Sequence, residues 1–165
     1  MPQALDVKEA IKRSIQTEKN AMDFYRRGSE HMKKEEARKT FEVLSNEERE
    51  HAEWFWKIYP GDDIPDFDAF MATSPDQQSD WLSDLEKLLL PDIDERKAME
   101  LAMDKELKLE KSLRQMANKI EDPKIRQVYL ANAESTHHHY ELIESEYARL
   151  MGMVHETDID TYVRE

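Results

Sequence analysis

Two short stretches of this sequence carry residues whose types and spacing can hold metal. Leu44-Ser45-Asn46-Glu47-Glu48-Arg49-Glu50-His51 and Leu130-Ala131-Asn132-Ala133-Glu134-Ser135-Thr136-His137 both read Leu-x-Asn-x-Glu-x-x-His. On a helix, a Glu and a His three residues apart lie on one face about one turn apart, so both can reach a single ion. Upstream of each copy stands a further Glu in a similar setting: Glu18 in Ser14-Ile15-x-x-Glu18, and Glu106 in Ala102-Met103-x-x-Glu106. One Glu from each of two helices and a Glu-x-x-His from each of the other two form a set that holds two metal ions inside a helix bundle. The candidate ligands are therefore Glu18, Glu48, His51, Glu106, Glu134 and His137.

Four carboxylates converging in a core would repel one another by roughly 3 kcal/mol per close pair, at ~5 Å and an effective dielectric near 20. Two divalent ions would cancel that charge, because four Glu and two neutral His then make an electroneutral site. Carboxylate with imidazole suits iron or manganese, and no thiolate-preferring metal is served. Oxidation to trivalent ions adds two charges, which oxide or hydroxide derived from oxygen or hydrogen peroxide can balance. The residues thus predict a redox centre, not a purely structural one.

The elements that must position these residues are helical. Val7, Ile11, Ile15, Met22 and Tyr25 recur at helical spacing from about Asp6, a candidate N-cap, to Met32, with Glu18 on the same stripe. Phe41, Leu44, Glu48, His51, Phe55 and Ile58 share a face of a second helix, from about Glu36 to Tyr59, that ends at Pro60-Gly61. Glu47 is also within helical reach of His51; the repeat favours Glu48, since Glu47 pairs with Ala133. Residues 61–92 form a long crossover in which Trp81, Leu82, Leu85, Leu88 and Leu89 mark a short amphipathic helix. A third helix from about Ile93 to Ile120 turns Met99, Ala102, Met103, Glu106, Leu109, Leu113 and Met116 inward. Asp122-Pro123 caps and opens a fourth, with Leu130, Glu134, His137, Glu141 and Tyr147 on or near one face. That helix is expected to fray at Met151-Gly152, leaving a loose acidic tail over 153–165.

The halves repeat. An offset of 88 relates Ala10, Glu18 and Arg26 to Ala98, Glu106 and Arg114, and an offset of 86 relates the two Glu-x-x-His stretches, as if the turn between them had changed length by two residues. Two helix hairpins joined by a long crossover predict an all-α, ferritin-like four-helix bundle over residues 1–152.

Composition excludes several classes. A net charge of -13 would repel the phosphate backbone, so nucleic acid is not an expected partner. With no cysteine there is no disulfide, iron-sulfur cluster or thiol nucleophile. Neither a leader-like apolar run near the start nor 18 consecutive apolar residues is seen, which leads to the expectation of a cytoplasmic protein without a membrane partner.

These residues resemble the rubrerythrin family of the ferritin-like superfamily over about residues 5–151. The likeness rests on the order Glu18, Glu48-x-x-His51, Glu106, Glu134-x-x-His137, with Phe24-Tyr25 seven residues beyond the first Glu. The resemblance implies a di-iron carboxylate oxidoreductase that reacts with hydrogen peroxide or oxygen, with a role in oxidative stress. It implies Glu18 and His51 on one iron, Glu106 and His137 on the other, Glu48 and Glu134 bridging, and Tyr25 as an outer hydrogen-bond donor whose repeat counterpart is Leu113. Manganese or a mixed pair would also suit the ligands. Three departures matter. Rubrerythrins proper append a cysteine-ligated rubredoxin domain, so electrons here would come from an external redox protein. The extra Glu of peroxidase members falls at Leu109, with Glu110 one residue away. Arg49 replaces the haem-binding Met of bacterioferritin, so no haem is expected. His138 and His139 are expected to point away from the site, and one of Trp54 and Trp56 outward. A homodimer is expected, and the crossover would permit its chains to exchange hairpins. Competing functions are a ferroxidase or iron-storage protein and a metal-stabilised structural or partner-binding bundle.

Overall fold

In the computed structural model, residues 5–89 and 94–163 are described, with side chains as far as 152. They form six helices and, among the described residues, no strand: α1 (Val7–His31), α2 (Glu35–Lys57), α3 (Phe67–Met71), α4 (Asp80–Leu88), α5 (Glu95–Lys119) and α6 (Pro123–Val163). The ferritin-like arrangement expected from the sequence is the one observed. Helices α1 and α2 pair along their lengths, α5 and α6 do the same, and the crossover connects the two hairpins.

Each long helix starts where the sequence supplies an acceptor for its unpaired N–H groups. Asp6 Oδ1 accepts from Glu9 N at 3.1 Å, and Asp94 Oδ1 accepts from Arg96 N and Lys97 N. Asp122 Oδ1 accepts from Lys124 N at 2.8 Å, just ahead of Pro123 in the first helical position. The exception is α2, whose Lys34 makes no side-chain cap. Its hairpin turn is instead held from across the bundle, where the Glu95 carboxylate accepts from Lys33 N and Lys34 N at 3.3 Å each.

The crossover holds two short helices, one more than its periodicity predicts. Asp66 caps α3 through Ala69 N, and Phe67 and Met71, one turn apart, pack with Met22 and Ala52. This segment is too short for periodicity to reveal it. In α4, Trp81, Leu82 and Leu85 turn into the core, with Trp81 edge-on to Phe24 at 5.2 Å. Arg27 to Glu86 on one side and Lys105 to Asp84 on the other tie α4 to α1 and α5. The crossover therefore bridges the hairpins.

Two expectations for the last helix are corrected. Helix α6 continues through Gly152 to Val163, since one interior Gly costs a helix only about 1 kcal/mol and does not end it. Its buried face is also different. Tyr129, Asn132, Ala133, Thr136, His139, Ile143 and Leu150 are inward, whereas Glu134 is exposed and Leu130, His137 and Tyr147 are only partly covered. Tyr129 packs on Phe55 at 4.7 Å, and its hydroxyl lies 2.8 Å from Ser14 Oγ. Burying Tyr129, Ala133 and Ile143 fixes the rotation of the helix, because the alternative face offers no comparable apolar set.

Among the described residues, no helix is long and apolar enough to cross a membrane.

Near the first hairpin turn, a Cβ on Gly28 would lie 2.8 Å from two ring carbons of Phe41, which is itself fully buried beside Phe24 and Tyr25. The ring has nowhere to retreat. Gly28→Ala would gain up to about 1 kcal/mol of helix propensity but incur an overpacking cost of about 1–3 kcal/mol. Chemical denaturation is expected to show net destabilisation, whereas stabilisation by the full propensity gain would mean that the contact relaxes freely.

Candidate metal centre

Four helices place charged or basic side chains at one level of a core that is otherwise apolar. Glu18 comes from α1, Glu48 and His51 from α2, Glu106 from α5 and His139 from α6; none is more than 2% exposed. Burial without partners is costly for such groups, so their mutual geometry carries the information.

Glu48 is the shared element. Its Oε1 lies 3.0 Å from His139 Nδ1, and its Oε2 lies 3.4 Å from His51 Nδ1. Glu18 Oε2 is 3.6 Å from His51 Nδ1, and Glu106 Oε2 is 3.8 Å from His139 Nδ1. The donors thus fall into two half-sites, each with one imidazole, one terminal carboxylate and one oxygen of Glu48. Glu48, His51 and His139 alone bring three ligand atoms within 4.8 Å of one another. The two imidazole rings lie parallel at 4.9 Å.

Each histidine turns Nδ1 inward and gives Nε2 to an outer partner from the opposite hairpin. His51 Nε2 meets Ser135 Oγ at 2.7 Å, and His139 Nε2 meets Glu47 Oε1 at 3.0 Å. Such contacts fix ring orientation and decide which nitrogen is free for an ion. Tyr25, fully buried, donates its hydroxyl to Glu106 Oε1 at 2.6 Å. The buried atoms left without a hydrogen-bond partner include both oxygens of Glu18, Glu48 Oε2, Glu106 Oε2, His51 Nδ1 and Thr136 Oγ1. Oxygen and imidazole donors that lack mutual hydrogen bonds suit hard or borderline divalent cations.

The structure brings Glu18, Glu48, His51 and Glu106 together as the sequence predicts. It does not bring Glu134 and His137 to them. The Glu134 side chain is 64% exposed and pairs loosely with Arg114 and His138. His137, half-exposed, lies 3.0 Å from Glu110 Oε1. The residues in their place are Thr136 and His139, and His139 was expected to point away. The expected change in turn length is also absent. One offset of 88 relates Glu18 to Glu106, Tyr25 to Leu113, Glu47 to Ser135, Glu48 to Thr136 and His51 to His139, as well as the helix ends at both turns. A signal for this was available, because the His51–His139 pair keeps the spacing of Glu18 and Glu106. The resemblance of the 130–137 stretch to the 44–51 stretch pointed to another frame, and three consecutive histidines satisfied both. Of the tryptophans, Trp56 donates to Ile64 O, while Trp54 is the more exposed and lies beside His51 at 5.2 Å.

Electrostatics follow from this packing. Burial, then the charge of Glu48, pushes Glu18 up to about 8. The same two causes, in the same order, hold Glu106 well above the usual carboxylate range. Burial would raise Glu48 too, but Glu18, His139 and His51 outweigh it and keep Glu48 well below that range. Burial would depress the imidazoles; instead Glu18 and Glu48 raise His51 to about 10, and Glu47 and Glu48 raise His139 to about 11. Without metal, the centre near neutral pH is a proton-filled network. These shifts all favour protons held inside the centre, on the imidazoles that face Glu48 and Glu47 and on the terminal carboxyls of Glu18 and Glu106.

A ferritin-like bundle enclosing a carboxylate–histidine cluster defines the class. The Rubrerythrin family profile matches residues 9–147, and the chain belongs to that family. Family membership implies iron binding. No curated protein and no solved structure matches the chain.

The register of α6 can be tested directly. His139→Ala and Glu48→Ala are expected to reduce divalent-metal uptake, measured by equilibrium dialysis, by roughly 10-fold or more, in line with losing a ligand or its support. His137→Ala and Glu134→Ala should leave it within about 2-fold; the reverse pattern would restore the other frame.

Stability should also depend on pH in a definite direction. Glu18 (4.5 to about 8), His51 (6.5 to about 10) and His139 (6.5 to about 11) all bind protons more tightly in the folded state. Their contribution is complete below the unfolded values and is lost as pH rises through the folded ones. Glu48 acts oppositely, but only in acid, where its lowered value is crossed. Metal-free protein should therefore lose at least ~1 kcal/mol per pH unit between about pH 7 and 9 in denaturant melts, the value for one proton of difference. A flat or rising profile would contradict this charge arrangement.

Proposed function

We propose that this protein is a non-haem dimetal carboxylate oxidoreductase of rubrerythrin type, holding two iron ions and reacting with hydrogen peroxide or oxygen while an external protein supplies electrons. The observation that carries the reading is the division of Glu48 between two imidazoles, each with its own terminal carboxylate. In this reading Glu18 and His51 would hold one ion and Glu106 and His139 the other, with one oxygen of Glu48 available to each. When bound, a pair of redox-active ions supplies the electrons that reduce the oxidant.

The remaining work falls to the protein's own groups. The donor side chains are buried, which strengthens every charge interaction among them. Tyr25 holds its proton at the hydroxyl, directed at Glu106 Oε1, and burial with the nearby carboxylates raises its pKa well above the usual tyrosine value. It therefore orients Glu106 as a neutral donor. A cavity of about 270 Å³, walled by Ser14, Thr17, Ser112 and Tyr129 and by Leu109 and Leu113, has Glu18 in its lining. That is room for a small polar oxidant beside the half-site of Glu18 and His51.

The test is elemental analysis of protein purified without added metal, followed by anaerobic ferrous loading and exposure to peroxide or oxygen. About two irons per chain and a new near-ultraviolet or visible band on oxidation are expected. Loading without any oxidation by either reagent would remove the redox reading and leave a structural metal bundle.

A further inference from the structure

Re-reduction of an oxidised centre requires electrons from outside the bundle, and the side chains nearest the ions are buried. The groups that stand behind those side chains differ in what they can carry. Ser135 and Glu47 meet the outer nitrogens of His51 and His139 with a hydroxyl and a carboxylate, neither of which is an aromatic system. Tyr25 carries a ring but is fully buried. Of these neighbours, Trp54 joins a π system to solvent: it is 37% exposed, and its ring lies 5.2 Å from that of His51 with 34° between the planes.

Helix geometry makes this contact. Trp54 follows His51 by three residues on α2, so the two rings meet along one side of the helix. The His51 ring in turn lies parallel to that of His139, at 4.9 Å with 6° between the planes. Three aromatic rings therefore form a continuous series from the surface through one half-site to the other, each at a separation ordinary for aromatic contact. Cover for His51 does not by itself call for an indole, since Leu would supply it and leave less apolar surface in water.

We propose that Trp54 is the point at which electrons enter the metal centre, coupling an external one-electron donor to His51 and, through the stacked imidazoles, to the second half-site. The inference rests on the dimetal redox reading above and adds the route which that reading leaves open. Electrons pass singly: each leaves its donor oxidised by one and takes one trivalent ion to the divalent state, so that two arrivals restore the pair. No bond forms or breaks at the indole, and no proton is transferred there. Trp54 touches neither the ions nor the oxidant; it acts through His51, as a positioning residue for the donor.

The experiment uses the whole chain, loaded with iron and oxidised, then mixed anaerobically in stopped flow with hexaammineruthenium(II), a one-electron donor. Reduction is followed by loss of the oxidised band, and iron content and the reduction potential of the centre are measured in parallel. Trp54→Leu keeps an apolar cover and a good helix former. It is expected to slow reduction by about an order of magnitude with potential and iron content unchanged, and Trp54→Tyr, which keeps a ring, should recover most of the rate. A check apart from turnover is tryptophan emission: cobalt(II) loading should quench a part of it in wild type that is missing in Trp54→Leu. Equal reduction rates in wild type and Trp54→Leu, or a slower rate accompanied by a shifted potential or lost iron, would overturn the proposal and leave the dimetal reading standing. Failure of the iron-loaded protein to be oxidised by peroxide or oxygen would remove that reading, and this proposal with it.

Discussion

One carboxylate shared between two imidazoles in a dry core governs this structure. An ionised Glu48 isolated in that position would be prohibitively costly, and it is tolerated because His51 and His139 face its two oxygens. The two histidines come from different hairpins, so the interaction also joins the halves of the bundle. Its geometry demands that α2 and α6 meet at one level, with a single rotation each. The apolar packing of Tyr129 and Phe55 and the hold of α4 on α1 and α5 supply that alignment. A buried polar cluster of this kind contributes little net stability by itself, because desolvation consumes most of what pairing returns. Its presence in the core is better explained by a ligand than by stability.

Most of the architecture was legible in the sequence because long helices announce themselves. Glu18, Glu48 and Glu106 interrupt apolar stripes where a solvated residue would not be placed, and Asp6, Asp122 and Pro123 mark helix starts through known capping chemistry. The helix α3 was not legible, since five residues offer too little periodicity. The register of α6 departs from the motif for a more instructive reason. Leu130, Asn132, Glu134 and His137 reproduce the residue types of the first motif, but a motif reports composition along the chain, whereas rotation is set by which residues bury apolar surface. Tyr129, Ala133 and Ile143 decide that, and they put Thr136 and His139 inward. A frame that keeps the helix ends, both turns and the histidines at one offset was the simpler reading of the same letters.

The repeat also explains the outer contacts. Glu47 and Ser135 are equivalent positions, and each reaches across to the histidine of the other hairpin. This reciprocity is what two copies of a hairpin related by a pseudo-twofold axis would produce. By sequence spacing Glu47 is also within helical reach of His51. Its actual place, one residue off the inward row and against His139 Nε2, shows how adjacent glutamates on a helix divide the work. One turns to the centre, and the other orients a ligand from behind.

Departures from that symmetry mean that the two half-sites are chemically unequal. A carboxylate behind His139 makes its imidazole a stronger donor than a serine hydroxyl makes His51. On the same side, the Tyr25 hydroxyl withdraws charge from Glu106, whereas the counterpart of Tyr25 is Leu113 and Glu18 keeps both oxygens without a hydrogen bond. The cavity likewise reaches Glu18 and not Glu106. An ion beside Glu18 would therefore sit in the more open and less constrained half, and an ion beside Glu106 in the half whose ligands are held from outside. If two ions are held as proposed, exchange of ligands would belong to the first half and retention of an ion to the second. Thr136 belongs to this asymmetry, because it stands at the repeat position of Glu48 and offers a buried hydroxyl where the other hairpin offers a carboxylate.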